Sequence, residues 1–153
     1  MDQKKLAIWL KAIVVGCALC GLALFGIILP RFLAYVAEEV PDLPHRAWQI
    51  FMWVLAVPCY AVLVCIWKMA DEIRNDNSFS LENARLLRAI AILAGGDAAL
   101  LLVGNVFFLV TRHSIPTLAL VSAFMCFIGL ALSVGAACLS HLVRKAALAE
   151  DSD

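Results

Sequence analysis

The chain has 153 residues, 64% of them hydrophobic and 16% charged, with a mean hydropathy of +0.94, a balance outside that of soluble domains. Its 12 basic and 12 acidic residues cancel, which removes the polybasic surface that direct nucleic-acid binding calls for. No polar stretch is long enough to build a core of its own, which argues against a separate catalytic domain.

Four apolar stretches, at about 6–29, 48–67, 89–110 and 115–139, each hold the roughly 20 residues an α-helix needs to cross about 30 Å of hydrocarbon at 1.5 Å per residue. The predicted fold is all-α: a polytopic four-helix transmembrane bundle, one membrane domain over 1–153, with the lipid bilayer as its first partner. Lys4, Lys5 and Lys11 precede or open the first span, Lys68, Arg74, Arg85 and Arg88 fall in the loop 68–88, and Arg144 and Lys145 follow the fourth span. The opposite side holds only Arg31, Arg46 and Arg112. The excess of cations places both termini and the middle loop in the cytoplasm of a bacterial cell membrane. Trp9 and Trp67 are expected at the inner interface and Trp48 at the outer one. A cleaved signal peptide fits poorly, because the first apolar run is long and Pro30-Arg31-Phe32 lacks small residues.

The first span carries Ala12, Gly16, Cys20 and Ala23 at close-packing spacing, expected to form a helix–helix seam. Cys17 and Cys20 form a C-x-x-C pair without the βαβ setting of a redox motif. Together with Cys59, Cys65, Cys126 and Cys138 they lie in apolar spans, where a cysteine acts as a small apolar side chain. Pro58 is expected to kink the second span. His45, His113 and the acids Glu38, Glu39 and Asp42 all fall on the outer side, while His141 lies on the inner. No metal or other cofactor is expected, a weak outer site being the minor reading.

The polar middle loop comes next. Asn75 to Ser78 read as a turn. Ser80 is the expected N-cap of the third helix, with Glu82 complementing the dipole in its first turn. Leu81, Ala84, Leu87 and Ala91 share a face, and Arg85 and Arg88 lie near the membrane surface, within reach of anionic headgroups. Deeper in this helix Asp97 follows Gly95-Gly96, with Gly104 and Asn105 seven and eight residues on. A charge at mid-membrane costs roughly 2.5–3.5 kcal/mol on insertion scales, so Asp97 is expected to face the interior. It reads either as a hydrogen-bonded carboxyl tying helices together or as a ligand- or proton-carrying acid. On the fourth span Ser122, Cys126, Gly129, Ser133, Ala137 and Ser140 recur every three or four residues. This second small-residue seam suits packing within the chain or against a second copy of it.

Two segments carry a family resemblance. Asn75-Asp76-Asn77-Ser78-Phe79-Ser80-Leu81-Glu82-Asn83 followed by Leu87-Arg88-Ala89-Ile90 resembles the central signature of DUF2975, a bacterial membrane family of unknown function. There an N-P-F-S-like turn leads to E-N and then L-R-x-I at the start of the third of four helices. The segment 140–150 is similar to the family's closing segment. Ser78 stands where the family often has proline, and residues 151–153 stand where relatives often continue with further polar residues. The resemblance brings no catalytic residues. It implies a cytoplasmic partner, a small helix-turn-helix regulator encoded beside such proteins, with Arg74, Phe79, Ser80, Asn83, Arg85 and Arg88 as the candidate docking residues.

These residues suit three functions to different degrees. A small regulatory or interaction protein needs only the polar loop and tail. A minimal transporter or transporter subunit would use Asp97 and Asn105. An intramembrane enzyme would need a convergent catalytic set, and the spans hold a single Asp and no deep His. The expectation is a non-enzymatic membrane protein with a cytoplasmic partner.

Overall fold

A computed structural model describes residues 2–42, 44–112 and 115–152. Its elements are α1 (Gln3–Ala23), a π-helical turn (Leu24–Ile28), α2 (Leu29–Glu39), α3 (His45–Arg74), α4 (Leu81–Val110) and α5 (Pro116–Ser152). α1, the π turn and α2 form one continuous helical rod, so four rods are long and apolar enough to cross a membrane. In hydrocarbon a backbone must satisfy its own polar groups, and a helix does so within one segment.

The first rod continues ten residues past the predicted end of its span, to Glu39. Pro30 has no N–H, and its ring crowds the carbonyl four residues back, that of Gly26. The wider π turn at Leu24–Ile28 sits at this point and absorbs the misfit, so the proline opens the second helical segment rather than ending the first. α3 likewise runs unbroken through Pro58. The middle loop is shorter than expected: helix covers 68–74 and 81–88, leaving 75–80. α5 continues through the tail to Ser152.

The rods pack in chain order: α1 on α3, α3 on α4, and α4 most extensively on α5. The α4–α5 seam is antiparallel and advances by seven residues. The Ser140 hydroxyl donates to the Ala84 carbonyl at 2.6 Å, that of Ser133 to Ala91 at 2.7 Å, and the Cys126 thiol to Ala98 at 3.4 Å. A Cβ on Gly129 would lie 3.2 Å from that of Ala98, so the two backbones are as close as small residues allow. The predicted fourth-span seam is therefore an internal interface, matched by an alanine stripe on α4.

The predicted first-span seam is not. Ala12, Gly16, Cys20 and Ala23 are exposed, and among the described residues nothing lies within 4 Å of a Cβ on Gly16. α1 meets α3 through another face, where Ala7 and Val14 are buried, the Tyr60 hydroxyl donates to the Ala18 carbonyl at 3.1 Å and Gly21 makes room for that ring. The larger Tyr60 sets the rotation of α1, turning the small-residue stripe outward.

Trp48 also departs from expectation. It is 3% exposed and stacks on Phe108 with ring centroids 4.2 Å apart, with Phe51 edge-on and Leu33 and Val36 packed around them. This aromatic core closes the face away from the termini, where a belt residue would instead lie outside. Gly104 belongs to it too, since a Cβ there would run into the Phe51 ring.

Candidate functional site

Two places gather polar groups: the middle of α4 around Asp97, and the face that carries both termini. At the first, helix α4 presents Asp97 toward α3, where Oδ2 accepts a hydrogen bond from the Cys59 thiol at 3.4 Å. Oδ1 is buried and has no hydrogen-bond partner among the described residues. Two apolar cavities flank the carboxyl. One of about 260 Å³ runs between α3, α4 and α5 past Pro58, Leu93 and Leu132. The other, of about 170 Å³, separates the first rod from α5 and is lined by Phe25, Leu29, Trp48 and Leu118. It exists because no Cα of α5 comes within 8 Å of the first rod among the described residues, so the ring of helices closes there through side chains only. The structure does not bring Asn105 to Asp97. Neither cavity includes Asn105, and the seven-residue step Ala84, Ala91, Ala98 carries it onto the α4–α5 seam.

At the termini-bearing face the chain builds a held turn. α3 ends in a Schellman arrangement: the Asn77 amide donates to the Glu72 carbonyl at 3.0 Å and the Asp76 amide to Ile73 at 3.2 Å. Asp76 takes the left-handed conformation, φ 62°, which the short polar side chain tolerates better than most. Ser80 then caps α4, its hydroxyl accepting from the Asn83 amide at 3.1 Å, as the sequence predicts. Asn83 is 2% exposed, and its side-chain nitrogen donates to the carbonyls of Ser78 at 2.9 Å and Asn77 at 3.3 Å. The amide thus satisfies turn carbonyls that no helix hydrogen bond reaches.

The start of α1 ties to the same turn. The Gln3 amide faces the Ile73 carbonyl and the Asp76 carboxylate, both acceptors, so its nitrogen points inward, at 2.9 and 3.0 Å. Lys11 pairs with Asp71 and lies over the Trp67 ring, 4.8 Å from its centroid. The tail of α5 docks here as well, with Val143 and Ala147 buried.

The docking candidates therefore separate. Ser80 and Asn83 hold the turn. Phe79, 62% exposed, projects from it, and Arg74 is exposed at the end of α3. Arg85 and Arg88 are exposed on α4 and line a cleft shared with α5. Sequence reasoning missed Cys59 as the neighbour of Asp97, and Lys11 and Gln3 as the ties of the turn, because each meets its partner across many residues. His113 of the minor metal reading lies outside the described residues. Among the described residues no three His, Cys, Asp or Glu side chains converge on a metal-sized site.

Comparisons with known proteins agree with this architecture. The family described as "Protein of unknown function (DUF2975)" matches residues 3–153. The chain is similar to the uncharacterized membrane protein YoaS of Bacillus subtilis (strain 168), at 27% identity over 143 residues, covering 91% of this chain and 89% of that protein. No solved structure matches.

Proposed function

The chain belongs to the DUF2975 family of proteins of unknown function, and we propose that it is a non-enzymatic regulatory or interaction protein of the bacterial cell membrane, with both termini in the cytoplasm. It holds a cytoplasmic partner on the face that carries the termini. The small helix-turn-helix regulator implied by the family resemblance is the first partner to test. The observation that carries this reading is the exposed Phe79 on a turn that Asn83, Ser80 and Gln3 hold still. A large aromatic side chain on a backbone already held in place costs less conformational freedom when a partner covers it, and such rings anchor protein interfaces. Arg74, exposed at the end of α3 before the turn, supplies a cation able to choose among partners.

The test is photo-crosslinking in cells from a benzoylphenylalanine placed at position 79, with position 42 on the opposite face as control. A discrete crosslinked protein at 79 only, lost from mild-detergent pull-downs of Phe79→Ala, is the expected result. Labelling of lipid alone, with identical pull-downs from parent and variant, refutes the reading.

A second reading rests on Asp97, whose unpartnered Oδ1 lies between two apolar cavities. An acid so placed suits a transporter that carries a proton or an organic cation. Asp97→Asn should then abolish cation-dependent flux in vesicles at normal abundance. Equal flux in parent and variant removes the transporter reading.

A further inference from the structure

The cleft between the membrane-emergent ends of α4 and α5 holds about 660 Å³ and is lined by Arg85 and Arg88 from α4 and by Ser140, His141 and Arg144 from α5. Leu81, Ala84, Ala137 and Leu148 complete it. Two helices 56 residues apart at their Ser140–Ala84 contact thus bring three arginines to the lining of one space. No Asp or Glu lines that space, and none of the three arginines forms an ion pair among the described residues. Three like charges lining one cleft with no carboxylate partner raise its positive potential and favour an entering anion. Ser140 has its hydroxyl proton on the Ala84 carbonyl, leaving the donors to the arginines and His141. Those are the groups that grip phosphate oxygens, often in a forked geometry.

Position selects the anion. Arg88 directly precedes the apolar run of α4 and Arg144 follows that of α5 by a little over one turn, so the cleft sits at headgroup depth. Ala137, within the apolar run of α5, lines the membrane side of the cleft, where acyl chains would leave. We propose that this cleft is a binding site for one anionic phospholipid, its phosphodiester held by Arg85, Arg88 and Arg144. The site is separate from the Phe79 turn and does not depend on any protein partner. It gives the chain a preference for anionic lipid that scattered surface cations would not.

The test uses the purified full chain in phosphatidylcholine nanodiscs with spin-labelled phosphatidylglycerol or spin-labelled phosphatidylcholine as probe. The motionally restricted fraction should favour phosphatidylglycerol. Arg85→Gln with Arg144→Gln should weaken that preference by on the order of thirtyfold, at roughly fivefold per interfacial cation. Lys4→Gln with Lys5→Gln removes the same charge from the same face, but from exposed side chains outside the cleft that water and salt screen, and should leave it within about twofold. Arg144→Gln alone, checked for parental helicity, serves if the double variant does not insert, with roughly a fivefold loss expected. Equal loss in the lysine control would show a diffuse surface charge and overturn the site. Displacement of the probe by inorganic phosphate, beyond that by chloride at matched ionic strength, would assign the cleft to a free phosphate and overturn the lipid. An unchanged preference in Arg85→Gln with Arg144→Gln would overturn it as well, leaving the arginines to a protein partner.

Discussion

Replacing Asn83 with alanine should release the turn that carries Phe79 without disturbing the membrane spans. The side-chain nitrogen makes two hydrogen bonds, at 2.9 and 3.3 Å, to the Ser78 and Asn77 carbonyls. Each is worth about 1 kcal/mol net, and the shorter one should be the stronger. Two effects reduce the loss. Asn77 is exposed, so water can replace its partner, and the buried Asn83 Oδ1, which has no partner now, disappears with the substitution. Local opening should therefore become easier by roughly 1–2 kcal/mol, or about five- to thirtyfold. Hydrogen exchange in nanodiscs reads this directly at the Asn77 amide, bonded to Glu72, and the Ala84 amide, bonded to Ser80. Amides in the middle of α5 serve as the internal reference. Asn83→Asp should exchange at least as fast, because a carboxylate facing two carbonyls repels them. If both turn amides stay within about twofold of the parent in Asn83→Ala, the amide bridge does not hold the turn, and the rigidity argument for Phe79 fails with it.

Gly104→Ala should destabilise the aromatic core by about 1–3 kcal/mol, since its Cβ meets the Phe51 ring. Phe51→Leu should recover much of that loss in a steric-trapping unfolding assay, whereas simple additivity would count against the contact. Ser133→Ala and Ser140→Ala each remove one interhelical hydrogen bond and should cost only about 0.6 kcal/mol apiece. Gly129→Val, acting on backbone approach, should cost more than either in the same assay. In a cysteine-free background, a cysteine at position 42 should react with an impermeant reagent outside intact cells and one at position 76 should not; the reverse pattern would overturn the orientation read from the cation distribution.

Hydropathy alone settles that four helices cross a membrane, because the bilayer forces each segment to satisfy its own backbone and so makes the element a local property of sequence. The Ser80 cap and the turn before it are legible for the same reason: every group involved lies within a few residues. The rotation of each helix is not legible. In water a polar stripe marks the outward face, but in lipid both the packed and the lipid-facing sides are apolar, and the stripe vanishes. That is why the small residues of the first span look like an interface and face outward instead, while Trp48, a belt residue by sequence, is stacked on Phe108 inside. The fourth-span seam is readable only because α4 answers it with alanines at the same seven-residue step, and the step itself shows once the two helices lie side by side. Rotation also decides chemistry. It sets Cys59 against Asp97, leaves Asn105 elsewhere on the helix, and turns Arg144 toward Arg85 and Arg88. Such meetings depend on side chains interlocking between segments dozens of residues apart, which local composition does not encode and only the packed helices determine.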